Sequence, residues 1–96
     1  MNFIFSQDIR KKLALKHEVS TEEVEQCFWN RSGGLVEDDR EDHKTNPPTY
    51  WFVSETDKKR RLKVIFVQDG EKVFIKSAYD ATIKIIKIYE KFAVES

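Results

Sequence analysis

Apolar positions along the chain switch from helical to alternating spacing and back again, which divides it into a helical entry, an extended middle and a helical close. Phe3 to Phe5 is a short apolar entry, after which Ser6 or Asp8 can cap a first helix over roughly residues 8–16. Ile9 and Leu13 sit one helical turn apart and face inward, while Arg10, Lys11, Lys12 and Lys16 make the remaining surface basic. The second helix has the clearest start signal. Ser20 caps it, Glu23 reaches back from the third helical position, and Val19 and Val24 occupy the places of a hydrophobic staple. Val24, Cys27 and Phe28 then share one face, so Cys27 reads as a buried, inert thiol. Asn30-Arg31-Ser32-Gly33-Gly34 ends that helix with a glycine available for positive φ. Lys16-His17-Glu18-Val19 joins the two into a helical hairpin.

Leu35 and Val36 can begin a short strand, and Pro47-Pro48 disfavours helix on both sides. From Thr49 the pattern is extended, with Tyr50, Phe52 and Ser54 alternating with Trp51, Val53 and Glu55. Thr56-Asp57-Lys58-Lys59 is the turn. Leu62-Lys63-Val64-Ile65-Phe66-Val67 is apolar on both faces beyond Lys63, the mark of a central strand. Asp69-Gly70 predicts a type I′ hairpin into a partner strand from Lys72 to Ala78. The last segment is rich in β-branched residues, but Lys84, Lys87 and Lys91 recur at helical spacing. That leaves Ile85, Ile88, Tyr89 and Phe92 as one apolar stripe. The expected fold is α+β: two N-terminal helices, an antiparallel meander of three to four strands, and a C-terminal helix packed on the sheet.

Composition adds bounds. Ninety-six residues make one domain near the small end for a single core, and 40% apolar content with seven Phe supplies that core. Charged residues are 35% of the chain, yet 17 basic and 17 acidic side chains cancel to a net charge of zero. Dedicated nucleic-acid binders carry a basic excess, so such a role requires the charge to be segregated locally. The single cysteine cannot form an internal disulfide, which fits a reducing compartment. With no apolar run near the ~18 residues of a membrane span and no basic leader, the expectation is a cytoplasmic protein without membrane contact.

The densest mixture of chemistry lies between Glu37 and Trp51, where carboxylates, Arg40, His43 and a large aromatic occur in close succession. His43 with Glu41, Asp42 and Asp39 matches no zinc spacing, and no glycine-rich loop precedes a helix, so neither metal nor cofactor is expected. Phosphodiester cleavage without metal needs a base, an acid and cations on the phosphate. His17, His43, Arg31, Arg40, Lys76 and Tyr79 are suitable types, with His43 or His17 moving the proton and Arg40 with Lys76 on the phosphate. Trp51 or Tyr50 can stack on a base. Lys58, Lys59, Arg60 and Arg61, with the basic first helix and Lys16, read either as solvated charge or as an anchor for an RNA backbone.

Lys16-His17-Glu18-Val19-Ser20 before an acidic helix resembles the K-H-x-V-S entry of the BrnT family of toxins. Ile75-Lys76-Ser77-Ala78 is similar to that family's I-x-S-A strand end, and Tyr89-Glu90 matches an acidic-aromatic pair in its last helix. The likeness spans roughly residues 9–92, carried by the order of short motifs. It implies a fold related to the RelE ribonucleases and metal-independent RNA cleavage. It also implies inhibition by a tightly bound antitoxin encoded nearby, with a homodimer or a hetero-tetramer as the assembly. Lys16, His17 and Ala78 stand at matching positions. Tyr79 and Pro48-Thr49-Tyr50 stand where the toxins commonly have arginine, and the toxins are more basic. The segment from Arg40 to Phe52 further resembles small proteins labelled ADP-ribosyl-(dinitrogen reductase) hydrolase. Three functions therefore stay open: an RNA-cleaving toxin, a non-catalytic protein-binding module of the same fold, and a small hydrolase of ADP-ribose adducts.

Overall fold

The computed structural model describes residues 1–38 and 46–93. It is α+β, with a five-stranded sheet of order β1-β5-β4-β3-β2. The strands are β1 (Asn2–Ile4), β2 (Val36–Glu37), β3 (Thr49–Glu55), β4 (Arg61–Asp69) and β5 (Lys72–Asp80). The helices are α1 (Gln7–Lys12), α2 (Thr21–Trp29) and α3 (Ile83–Ala93). The expected meander β3-β4-β5 is present, with β4 central and β3 and β5 antiparallel to it. The sheet is nevertheless mixed. Phe3 and its neighbours form a strand that pairs in parallel with β5, Asn2 opposite Lys72 and Ile4 opposite Phe74. Three residues carry too little periodicity to announce a strand, and only β5 supplies the ladder that makes them one.

The hairpin between β4 and β5 corrects the expected turn. Asp69 pairs with Lys72, so the loop is Gly70-Glu71, and positive φ occurs at Gly70 but not at Glu71. Positive φ at the first central residue alone is the type II′ pattern. Between Ile65 and Phe66 the register of β4 against β5 shifts. Ile65 pairs with Ser77 and Phe66 with Ile75, so Lys76 is the extra residue of a β-bulge and is exposed.

Successive residues of β3 point to opposite faces, and both faces are covered. On one face Phe52 packs edge-on against Phe28 of α2, which also meets Phe66 of β4. On the other face Trp51 packs against Tyr89 of α3. The sheet therefore lies between α1 with α2 and α3. The capping box of α2 forms as its sequence indicates: Ser20 Oγ accepts from the Glu23 amide at 3.1 Å, and Glu23 accepts from the Ser20 amide at 3.0 Å. Cys27 is fully buried, its Sγ donates to the Ser54 carbonyl at 3.7 Å, and burial pushes its thiol up to about 12.

Two helical details differ from expectation. The first helix is α-helical only to Lys12 and then widens into a π turn, Leu13–His17, closed by Glu18 in the left-handed conformation at φ 54°. In α3 the buried side runs through Tyr89 and Ala93, while Phe92 is 61% exposed. The stripe is rotated because α3 reaches over β3 and the segment at Gly34. The Tyr89 hydroxyl donates to the Gly34 carbonyl at 2.6 Å and the Gly34 amide donates to the Ala93 carbonyl at 3.2 Å. Gly33 serves this contact, and neither it nor Gly34 takes positive φ.

A Cβ at Gly33 would fall on the Tyr89 hydroxyl. Gly33→Ala is therefore expected to lower stability by about 1–3 kcal/mol through overpacking, read as a reduced urea midpoint with an unchanged slope.

Candidate functional site

The π turn brings His17 to the end of β5. Its ring lies 5.3 Å from that of Tyr79, tilted by 40°. Leu15, Lys16, His17, Glu18, Tyr79 and Asp80 line a cleft of about 420 Å³ there. Single π turns inside helices are often found at functional sites, because the extra residue re-aims the side chains after it. Here the turn ends in an imidazole. β1 pairs β5 only opposite residues 72–74, so the π turn takes over the cover of the same edge toward Tyr79.

Arg60 holds this turn in place from the β3–β4 connection. Its guanidinium donates to the His17 carbonyl at 3.1 Å and to the Glu18 carbonyl at 2.7 Å. It also meets Glu23 at 3.2 Å and grips Asp80 with two bonds of 2.8 and 3.2 Å. The Arg60 hydrogen bond holds the Asp80 carboxyl below its ordinary value. The basic run suggests Arg60 as a contact to an RNA backbone; instead its donors are spent on two chain carbonyls and two carboxylates. A helix end leaves carbonyls without partners, and a forked cation satisfies several at once.

Burial is the largest influence on His17 and lowers its pKa, with Lys16 and Lys12 acting in the same direction and Asp80 opposing them. The ring is therefore neutral over a wider range than a free imidazole. Its Nε2 is buried and has no hydrogen-bond partner among the described residues.

The remaining candidates separate. Lys16 and Tyr79 join His17 at the cleft. Trp51 is 8% exposed, lies under Tyr89 of α3, and cannot stack on a base without displacing that helix. Its ring instead carries the Lys63 ammonium at 4.4 Å, and the same ammonium lies 5.8 Å from the Tyr79 ring. Trp51, Lys63, Tyr79 and His17 thus form a row across β3, β4, β5 and the π turn. Residue type alone does not single out Lys63; its signal is a lone lysine inside an otherwise apolar central strand. Lys58, Lys59 and Arg61 are exposed around the turn held by Arg60, at the end of the sheet that carries His17, and Arg61 pairs with Glu55 at 3.6 Å. Lys76 is exposed at the bulge and does not line the cleft. His43 and Arg40 lie outside the described residues. Asp38, which precedes them in the chain, donates to the Thr49 carbonyl at the opposite end of the sheet, where Thr49 pairs with Val67. Among the described residues no group of His, Cys, Asp and Glu is placed to hold a metal ion, and no helix is long and apolar enough to cross a membrane.

This geometry generates two expected outcomes. Because the folded pKa of His17 is depressed, protonation favours the unfolded chain. Its stabilising effect is complete above the unfolded value of about 6.5 and is lost as pH falls below it. Urea midpoints should drop on going from pH 7.5 to 5.5, and His17→Gln should shrink that drop. Arg60→Gln leaves the carbonyls of His17 and Glu18 without this donor and is expected to cost about 1.5–3 kcal/mol in the same measurement. Comparison with known proteins adds no family to this picture: no protein-family model matches the chain, and no curated protein matches it.

Proposed function

We propose that the chain is a BrnT-like toxin that cleaves RNA without a metal ion, with His17 at the centre of its site. One observation carries the reading. An imidazole with an unsatisfied, buried Nε2 is packed beside a phenol and a lysine, at the end of the sheet where further cations gather. In the reaction His17 Nε2 takes the proton of a ribose 2′-hydroxyl, and the 2′-oxygen attacks the adjacent phosphorus. The bond from phosphorus to the 5′-oxygen breaks, and that oxygen takes the Tyr79 hydroxyl proton. A 2′,3′-cyclic phosphate and a 5′-hydroxyl result, and the proton on His17 returns to Tyr79 through solvent. The Lys16 ammonium offsets charge on the phosphoryl oxygens, and Lys58, Lys59 and Arg61 contact the flanking backbone. Since Nε2 is covered in the free protein, substrate engages it only after the side chains around the cleft part. The same reading supplies a partner, an antitoxin that binds the toxin tightly.

A second reading, a non-catalytic protein-binding module of the same fold, draws on the large apolar side chains left in solvent. Leu15, Trp29 and Ile83 are 83%, 66% and 73% exposed.

Purified protein should cut single-stranded RNA at neutral pH with chelator present, and His17→Gln should slow the cut by about 10²–10⁴-fold. A 2′-deoxy substitution at the cut position should block it. Absence of cleavage on a panel of mixed-sequence RNAs, together with normal growth of cells induced to make the soluble protein, would reject the nuclease and favour the binding module.

A further inference from the structure

The opposite edge of the sheet carries a second feature, independent of RNA cleavage. Along β3 the backbone groups alternate between the β4 side and the outer side. The Thr56 amide bonds the Arg60 carbonyl at 2.8 Å, which puts the even-numbered residues toward β4. The odd-numbered carbonyls accept from outside: that of Thr49 from the Asp38 amide at 2.8 Å, and that of Glu55 from Asn30 Nδ2 at 3.0 Å. β2 is only two residues long and covers β3 at Tyr50 and Trp51. Its natural extension toward Val53 would be Leu35 and Gly34. Gly34, however, is turned toward α3 by its bonds to Tyr89 and Ala93. Val53 is therefore left with an amide and a carbonyl directed outward, and no strand among the described residues lies beside them.

Val53, itself 8% exposed, lines a cleft of about 370 Å³ on this side, within the range of ordinary ligand sites of ~300–1,000 Å³. Val53, Ile86 and Ala93 supply apolar lining, and Asn30 and Ser32 polar lining. Two carboxylates, Glu55 and Glu90, line it against one guanidinium, Arg61, which already pairs with Glu55. A donor and an acceptor on one strand edge match the backbone of another extended chain, the basis of recognition by strand addition. Glu90, exposed and without an ion pair among the described residues, selects a basic side chain, and the apolar lining selects a small apolar one.

We propose that the β3 edge at Val53 is a docking slot for an extended, basic segment of a partner protein, which adds to the sheet as a short strand.

The full chain, labelled with ¹⁵N, is titrated with a capped Lys-Val-Lys-Val-Lys-Val peptide and with its Glu-Val-Glu-Val-Glu-Val counterpart. The expected result is movement of the Val53 and Glu55 amide signals and slowed hydrogen exchange at Val53 with the basic peptide. Glu90→Lys, at an exposed helix position, should weaken that binding about tenfold. The proposal is overturned if these amides stay still at millimolar basic peptide, or respond equally to the acidic one. It is equally overturned if they move on simple dilution, which marks a second copy of the chain in the slot, or with a single-stranded RNA oligonucleotide, which marks a nucleic-acid site.

Discussion

One guanidinium holds the His17 end of the molecule together. Arg60 sits in the connection between β3 and β4, yet its hydrogen bonds reach the π turn, α2 and the end of β5. The π turn ends in a left-handed residue that is not glycine, a conformation costing an L-residue about 1–2 kcal/mol. It persists because the carbonyls on either side of that bend have a charged donor. Glu23 shares the arrangement, accepting from the Ser20 amide and from Arg60 at once. The cap of α2, the end of α1 and the β5 terminus are thereby one hydrogen-bonded unit. Lysine carries the same charge but no planar fork, and could not meet four groups in this way.

That unit determines which basic residues remain available. A run of four cations at a turn looks like a uniform patch, but its third member is withdrawn into the structure while Lys58, Lys59 and Arg61 stay exposed. It also shapes the electrostatics at His17. Asp80 would favour the imidazolium, yet it is gripped by Arg60, and burial with two nearby lysines prevails. Burial thus holds His17 toward its neutral form although Asp80 is close by.

The sheet has two edges, each managed differently. Beyond β1, the β5 edge is capped by the π turn and becomes a cleft with an imidazole. Beyond β2, the β3 edge is left open at Val53 because α3 draws Gly34 away. Strand edges with free backbone groups are liabilities unless covered, twisted or used. Here both gaps coincide with clefts, and both arise from contacts between residues far apart in the chain.

The elements themselves were largely legible, because each rests on local chemistry: the capping box at Ser20 and Glu23, the alternation in β3, the two-sided apolar run of β4, and the lysine spacing of α3. His17, Lys16 and Tyr79 were legible as suitable types, and the fold brings these three together. What residue type could not reveal was partnership. Trp51 and Arg60 look like ligands for RNA, but the first is buried by a helix more than thirty positions away and the donors of the second are taken by two chain carbonyls and two carboxylates. The β1 strand, the type II′ turn, the bulge at Lys76 and the outward groups of Val53 likewise depend on register between strands. Short-range periodicity therefore determined which segments are helix or strand and which faces are apolar. Tertiary pairing alone decided which charges are spent, which carbonyls are satisfied and which edge stays open, since those depend on neighbours that the sequence places far away.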